Sequence, residues 1–189
     1  EHEALFESVG RDGRFVDEPE GRLLNPGHAL ESMWFCMEEG LRRGDRSVVD
    51  RAICIADWMY RRGYDGERGG IHSFLDISGG APPQTDWHKE TSIRWDDKVW
   101  WVHSEALYTL ALAAVETGSD EWWRRFLDLH DWCRKHFYDP EYGEWYPELR
   151  RDGTPNLTDK GTPWKAAYHL PRALLLLHLL FRRTAERSR

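Results

Sequence analysis

The stretch DKVWWVHSEALYTLALAAVE, residues 97–116, decides how this chain folds. Its second half is apolar nearly all round, which predicts a helix covered by protein on most sides. A histidine, His103, stands close to the start of this helix. Two further segments, NPGHALESMWFCMEEGL at 25–41 and TPWKAAYHLPRALLLLHLLF at 162–181, also place a histidine near the start of a helical pattern. The leucine run at 172–180 is likewise apolar nearly all round, which predicts another helix covered on most sides. The pattern indicates a fold built around repeated inner helices.

The first two inner helices are each followed by an amphipathic pattern, which predicts outer helices at 47–62 and 121–136. Apolar residues recur there at spacings of three and four, so each outer helix has one apolar stripe. The stripe of the first outer helix is Val48, Ala52, Ile55 and Met59, and that of the second is Trp122, Phe126, Leu129 and Trp132.

Three segments that combine Gly and Asp with alternating aromatic residues predict β-hairpins at 9–22, 64–80 and 138–153. The repeating unit is thus a hairpin, an inner helix and an outer helix, recurring about every 70 residues. Inner helices wrapped by outer ones predict an all-α toroid of helical hairpins, formed by residues 1–189 as one domain. Three inner helices do not close such a ring, so we expect a missing portion or a second chain over the open edges.

Composition excludes several classes of protein. The chain has 189 residues, 40% of them hydrophobic and 31% charged, with a net charge of −7 and no basic tract. Nucleic acid is therefore not expected as a partner. The longest apolar run is too short to cross a bilayer, so no membrane association is expected. Three cysteines in helical patterns predict buried free thiols and a cytoplasmic location. Neither HExxH nor CxxC is present, and no metal site is expected.

Equivalent positions in the repeat predict that His28, His103 and His169 converge at one end of the inner helices. Imidazole has an ordinary pKa of about 6.5, which suits proton transfer at neutral pH. Two imidazoles on opposite faces of a substrate can remove a proton from one side and return it to the other. The plain alternative is that a histidine on an apolar helix is a buried structural residue, and this applies to each of the three.

Neighbouring side chains fit a sugar site. Glu31 lies one helical turn after His28 and is expected to orient that imidazole. Arg172 stands likewise after His169, where it could bind a hydroxyl or stabilise an enediolate oxygen. Trp100, Trp101 and Trp164 lie near the same end and could stack on a sugar ring, although packing is the more frequent role of tryptophan.

Four separated segments resemble the N-acylglucosamine 2-epimerase family, in the family's order: NPGHALESMWF, DDKVWWVHSEALYTLAL, DPEYGEWYPELRRDG and KGTPWKAAYHLPRALL. The resemblance runs from about Gly10 to Leu180 and matches the C-terminal half of the family's usual length. It implies an (α/α)6 barrel, of which this chain would form about half, with three inner helices, their outer helices and short hairpins at the loop end.

The resemblance also implies a function. His28 and His169 would be the acid and base that exchange the C2 proton of an open-chain sugar through an enediolate, interconverting N-acyl-D-glucosamine and N-acyl-D-mannosamine or a related aldose. Glu31, His103, Glu105 and Arg172 match positions around the same pocket, and Trp164 replaces an aromatic residue there. No cofactor is required, and ATP is an expected activator of some members through a site that is not in this chain.

Other functions remain open. Members of the same family include aldose–ketose isomerases such as mannose isomerases, which move the proton from C2 to C1. A glycoside hydrolase on a similar barrel would need two cavity carboxylates, for which Glu31, Glu105 and Glu148 are candidates. A non-catalytic binding module is the third possibility. The expected partners are a small sugar and either a second copy of the chain or the missing half of the barrel.

Overall fold

A computed structural model describes residues 2–85 and 94–187. The described residues form six helices and five short strands. The helices are α1 (Pro19–Arg22), α2 (Pro26–Arg43), α3 (Arg46–Gly63), α4 (Trp100–Thr117), α5 (Asp120–His136) and α6 (His169–Arg187). The strands are β1 (Leu23–Leu24), β2 (Leu75–Asp76), β3 (Lys98–Val99), β4 (Glu148–Leu149) and β5 (Pro155–Leu157).

Helix α4 is the centre of the core. It packs against α2, α5 and α6, and residues 102–114 are buried without exception. A helix surrounded in this way must be apolar on every side, which is what its sequence shows. The prediction of a covered inner helix at this position is confirmed.

Helices α3 and α5 are the predicted outer helices, and their bounds differ from the prediction by one residue. On α5 the predicted stripe holds, since Trp122, Phe126 and Leu129 are buried. The buried face of α3 is rotated slightly from the prediction and adds Val49 and Ile53 to Ala52 and Met59.

Capping residues fix where α2 and α3 begin and end. The side chain of Asn25 accepts a hydrogen bond from the backbone N of His28, and Pro26 opens α2. Gly44 then ends α2 in the left-handed conformation, with φ of 68°. Asp45 caps α3 by accepting hydrogen bonds from the next turn. These caps leave His28 in the first turn of α2.

Two of the three predicted hairpins are present and share one geometry. Tyr64 pairs with Ile71, and Tyr138 pairs with Trp145, each in an antiparallel bridge. Asp65 and Asp139 begin the two turns, and the side chain of each accepts two backbone hydrogen bonds within its own turn. The predicted hairpin at 9–22 is wrong, because this segment forms a turn followed by α1 rather than a strand pair.

The short strands set the starts of the inner helices side by side. β1 pairs with β2, and β3 pairs with β4, both antiparallel; β5 extends the second sheet beyond β4. β1 leads almost directly into α2, and β3 leads directly into α4. Both helices therefore begin at the end of the molecule that carries the hairpins.

Helix α6 departs from the prediction. Its leucine run predicted a helix covered on most sides, but Leu174, Leu175 and Leu179 are exposed, and His178 is exposed between them. One face of α6 packs on α4, and nothing among the described residues covers the other. None of the described helices is long and apolar enough to span a membrane.

The three cysteines are free, but only Cys133 is buried. Cys36 on α2 and Cys54 on α3 are exposed, so the prediction of three buried thiols is wrong for two of them. Both lie on exposed helix faces, which periodicity alone did not distinguish from the core faces.

Candidate active site

The indole of Trp101 contacts two histidines. Its ring centroid is 5.1 Å from that of His28 and 5.4 Å from that of His169. His28 is in the first turn of α2, Trp101 in the first turn of α4, and His169 is the first residue of α6. Three neighbouring helices thus bring two imidazoles to one aromatic ring, at the end that the strands align.

His169 is held by a buried carboxylate. Its Nδ1 lies 2.7 Å from Oε1 of Glu105, whose side chain is 1% exposed. Arg172 donates to the same oxygen at 2.7 Å, and the indole nitrogen of Trp34 donates to Oε2 at 2.7 Å. Burial acts to raise the pKa of Glu105, but hydrogen bonds from His169, Arg172 and Trp34 outweigh it and hold that pKa below its usual value.

Glu105 lies only two residues after His103 on α4, a spacing that points the two side chains in different directions. The structure brings it to His169 instead, from beneath the ring. It lies too deep for direct contact with a ligand from solvent. Its position depends on how α4 packs against α6, which spacing along one helix does not reveal.

Glu31 does not orient His28, which corrects that expectation. Its Oε1 accepts from Arg172 at 2.5 Å and lies 3.8 Å from Nδ1 of His169. The guanidinium of Arg172 therefore joins Glu31 to Glu105, and it also donates to the hydroxyl of Tyr168 at 2.6 Å. Arg172 fastens the carboxylates beneath His169 rather than reaching freely into solvent.

Glu31, Glu105 and His169 include one ligand atom each within 4.8 Å of one another. These donor types suit a divalent cation. However, a single nitrogen of Arg172 lies within hydrogen-bond distance of both carboxylates, so a guanidinium already balances their charge. We therefore assign no metal to this group.

His28 has a carboxylate partner that sequence reasoning missed. Oε2 of Glu7 lies 2.9 Å from Nδ1 of His28. This hydrogen bond raises the pKa of His28 above its ordinary value; burial opposes the rise and the charge of Glu31 adds to it. Glu7 lies 21 positions before His28 in an irregular segment, so no periodic pattern could have paired them.

His103 does not join the other two histidines, and the prediction that all three converge is wrong. The residue is fully buried. Its Nε2 accepts from the backbone N of Ile71 at 2.9 Å, and its Nδ1 lies 2.8 Å from the carbonyl of Val99. Burial lowers the pKa of His103 to about 3. It fastens the hairpin at Tyr64–Ile71 to α4, which is the structural role weighed at the outset.

The tryptophans near this end of the helices lie in different environments, and they do not all occupy the place that the prediction gave them. Trp100 is 5% exposed and its indole nitrogen has no hydrogen-bond partner among the described residues. Trp164 is 87% exposed on the loop before α6. Both line a cavity of about 340 Å³ together with Trp101, Arg94 and Glu148. Trp101 rather than Trp100 contacts the histidines; two adjacent tryptophans at a helix start gave no signal to choose between them.

The arrangement is suited to proton transfer by two bases. A carboxylate only accepts hydrogen bonds, so each Nδ1 that faces one carries the proton of the neutral ring. The lone pair of each neutral ring is then on Nε2. Within residues 2–85 and 94–187, no group hydrogen-bonds Nε2 of His28 or His169. Both nitrogens are free to act on a substrate.

Helices packed around α4, with two imidazoles at one end that each contact a carboxylate, define a helical protein with a histidine–carboxylate site. The model of the N-acylglucosamine 2-epimerase family matches residues 1–173, and the chain belongs to this family. It is 37% identical over 178 residues to N-acylglucosamine 2-epimerase of Bos taurus and 33% identical to that of Homo sapiens. These matches cover 92% of this chain, but it spans only about 40% of the length of these relatives.

Other relatives act on other sugars by name. D-mannose isomerase of Marinomonas mediterranea is 24% identical over 146 residues, covering 77% of this chain and 34% of its own length. Among solved structures, a D-mannose isomerase superposes with a TM-score of 0.72 at 21% identity, over 82% of this chain and 37% of that one. A cellobiose 2-epimerase from Bacillus thermoamylovorans gives 0.71 at 22% identity, over 96% and 42%. These similarities show a shared fold.

Proposed function

We propose that this chain carries the acid–base pair of a sugar 2-epimerase and acts within a complete (α/α)6 barrel. The substrate pair is N-acyl-D-glucosamine and N-acyl-D-mannosamine, or a related aldose. The observation that carries the proposal is that the rings of His28 and His169 both lie against the indole of Trp101, each with its Nδ1 beside a carboxylate.

In this mechanism the sugar reacts in its open-chain form. Nε2 of one imidazole removes the proton from C2. The electron pair of the C–H bond forms a double bond between C1 and C2, and the π electrons of the C1 carbonyl move to its oxygen, which gives an enolate, or an enediolate where C2 carries a hydroxyl. The other imidazole, protonated at the start, delivers a proton to the opposite face of C2. Glu7 and Glu105 stabilise whichever ring carries the positive charge. No cofactor enters this reaction.

The relatives favour an N-acylated aldose as the substrate, since the more similar ones are named N-acylglucosamine 2-epimerase. An aldose–ketose isomerase is the second candidate, favoured by the D-mannose isomerase relative. In that reaction one histidine moves the proton from C2 to C1 on one face. The two reactions differ in whether both imidazoles exchange protons with carbon.

A glycoside hydrolase fits the geometry poorly. Its two carboxylates must lie across the scissile bond, about 5–10 Å apart. Glu31 and Glu105 instead bind one nitrogen of Arg172, and Glu148 is paired with Arg94. None of these acids stands opposite another across an open cavity.

The test of this function is proton exchange at C2 in D2O, followed by NMR with N-acetylmannosamine, mannose, glucose and cellobiose. The proposal expects exchange with at least one of these sugars, and loss of that exchange in both His28→Ala and His169→Ala. His130→Ala, on the exposed side of α5, is the matched control and should exchange at the normal rate. Exchange that persists in both site variants would exclude the two-histidine mechanism. An isomerase would retain exchange in one of them and produce a ketose. Addition of ATP tests activation.

We propose that the exposed side of α6 is covered in the working protein, either by the other half of the barrel or by a second copy of the chain. Three exposed leucines on one helix and the partial span of the relatives support this. Sedimentation velocity of the chain should show a dimer, and Leu175→Glu should weaken it. Leu127→Glu, at an exposed position on α5, should have no effect. If the chain is a monomer that exchanges the C2 proton by itself and does not bind the other half of the barrel, the proposal that the exposed side of α6 is covered is overturned. A cytoplasmic location stays a prediction that fractionation tests.

A further inference from the structure

The residue Glu7 lies outside every helix and strand, yet its carboxylate contacts His28. We propose that Glu7 is a positioning residue for His28, holding the proton of the neutral ring on Nδ1 and presenting Nε2 to the substrate. This inference rests on the proposed function and adds to it the residue that sets the protonation of the first histidine.

The segment that carries Glu7 is fastened to the outer helix α3. Arg62 donates from Nε to the carbonyl of Glu3 at 2.9 Å and from Nη2 to the carbonyl of His2 at 2.6 Å. The backbone N of Leu5 lies 3.2 Å from the sulfur of Met59. The side chains of Leu5 and Phe6 pack on a small apolar cluster that includes Leu24, Ala29, Met59 and Leu75. These contacts fix the backbone on the N-terminal side of Glu7.

The contact between Glu7 and His28 parallels that between Glu105 and His169. In each pair one carboxylate oxygen faces Nδ1, at 2.9 Å and 2.7 Å. The same chemistry thus appears twice, built by unrelated parts of the chain. This duplication is expected if each ring must keep a proton on Nδ1, so that only Nε2 exchanges a proton with the substrate while the two rings act as base and acid.

The two carboxylates differ in what balances their charge. Glu105 is bound by Arg172, whereas no Lys or Arg among the described residues pairs with Glu7. The acids near His28 are Glu7 on the N-terminal segment and Glu31 on α2, and the group from α4 is the uncharged indole of Trp101. Glu31 is committed to Arg172. Glu7 is therefore the acid that acts on His28 directly.

If the contact between Glu7 and His28 were only structural, its loss would change the stability of the protein little. The side chain of His28 is 53% exposed and that of Glu7 is 31% exposed, and an ion pair at such a site contributes about 0–1 kcal/mol to stability. The tautomer of His28 separates the two roles, because a change in stability does not alter which nitrogen carries the proton.

The first experiment measures that tautomer on the chain itself, by long-range ¹H–¹⁵N NMR of the imidazoles above the pKa of His28. The His28 signals are assigned by their absence in His28→Asn. In the unaltered chain the Nδ1–H form should predominate. Glu7→Ala should lose it as the major form, because Nδ1 then has no acceptor. Glu7→Gln keeps an acceptor without the charge, so it should retain the tautomer and lower the pKa of His28.

Glu3→Ala is the matched control, since Glu3 lies on the same segment and its carboxylate makes only a 3.5 Å contact with Arg61. It should leave both the tautomer and the pKa of His28 unchanged. An unaltered tautomer in Glu7→Ala together with an unaltered pKa in Glu7→Gln would overturn the inference. If Glu7→Ala does not fold, the pKa in Glu7→Gln decides alone.

The second experiment follows C2 exchange in the assembly that shows it. Glu7→Ala should lower kcat roughly 10-fold or more, with KM nearly unchanged, because the loss concerns proton transfer. In Glu7→Gln, the limb of the pH profile that reports His28 should move to lower pH. If a sugar exchanges its C2 proton but Glu7→Ala leaves the tautomer of His28 unchanged, the role of Glu7 is rejected and the proposed function stands. If Glu7→Ala changes the tautomer of His28 but no sugar exchanges its C2 proton, the proposed function is rejected. The role of Glu7 in fixing the tautomer of His28 then still stands.

Discussion

The carboxylate of Glu105 and the imidazole of His169 are joined at 2.7 Å, although 64 residues separate them in the chain. The carboxylate is 1% exposed and accepts hydrogen bonds on both of its oxygens. A buried carboxylate with these hydrogen bonds cannot rotate, and water cannot take its place as the acceptor. The orientation of His169 is therefore built into the packing of α4 against α6.

Glu105→Gln tests this buried connection. Glutamine offers a single acceptor oxygen, so either Trp34 on one side or His169 and Arg172 on the other loses its acceptor. We expect a loss of about 1–3 kcal/mol in the free energy of unfolding, measured by urea denaturation. Glu39→Gln on the exposed side of α2, where Glu39 pairs with Arg42, should leave the free energy of unfolding nearly unchanged, because solvent screens an exposed pair. Equal losses in the two variants would contradict the prediction.

Gly27→Ala tests the close approach of α2 to α4. A Cβ atom at this position would lie 2.7 Å from the ring of Trp101 and 2.7 Å from a methyl group of Val102. We expect destabilisation of about 1–3 kcal/mol from overpacking, even though alanine favours a helix over glycine by about 1 kcal/mol. Thermal or urea unfolding measures it. Gly66→Ala, where a Cβ meets nothing within 4 Å, is the control. The loss should shrink when Trp101→Leu is combined with Gly27→Ala.

The chain should lose stability in acid because of two buried histidines. Burial lowers the pKa of His103 to about 3 and that of His72 to about 4, whereas an unfolded chain has ordinary values of about 6.5. The unfolded state therefore binds more protons as the pH falls below about 6.5, and the free energy of unfolding decreases through that window. Urea midpoints between about pH 7 and pH 4 measure the slope.

Two variants assign that slope to its source. His72→Phe keeps the ring that stacks on Trp95 at 4.9 Å and removes the titrating group, so its stability should fall less steeply in acid. His130→Gln, at an exposed position, should follow the unaltered chain. His28 has a raised pKa in the folded state, so it affects stability in the opposite direction. Its contribution to the free energy of unfolding is fully present below about pH 6.5 and is lost as the pH rises through its pKa in the folded state. A flat profile in all three proteins would refute the prediction.

Asp65→Asn tests the buried ion cluster beneath the first hairpin. Nζ of Lys98 is fully buried 3.1 Å from Asp65, and Arg151 donates to the same carboxylate at 2.7 Å. Removing the negative charge leaves Lys98 without its partner, and we expect a loss of about 3–5 kcal/mol in the free energy of unfolding by urea.

Glu67→Gln is the control for that loss, because Glu67 is a 78% exposed partner of Arg151 and should cost about 0–1 kcal/mol. The equivalent residue of the second hairpin, Asp139, pairs with the less buried Lys160. Asp139→Asn should therefore cost less than Asp65→Asn. The reverse order would show that the turns, rather than the buried charge, determine these losses.

Much of the helical framework was predictable from sequence, and the reason is local. The outer helices α3 and α5 have apolar residues at the helical period, and α4 is apolar on every side, so each could be placed within a residue or two. The turns of the hairpins at 64–80 and 138–153 begin with Asp65 and Asp139, a pattern that the sequence shows directly. The leucine run of α6 gave a wrong prediction of a covered helix for the same reason. The composition of a helix shows how much apolar surface it could bury, but not which neighbouring elements are present to cover it.

The sequence by itself determined that this chain makes a repeat of paired helices and places a histidine at the start of each inner one. Only the tertiary structure decided that His28 and His169 both lie against Trp101 while His103 is enclosed by a hairpin, and that Glu7 and Glu105 are the carboxylates that contact these two histidines. The physical reason is that periodicity and capping act over a few residues, whereas side-chain contacts between helices depend on how those helices pack, and packing joins residues that are far apart in the chain.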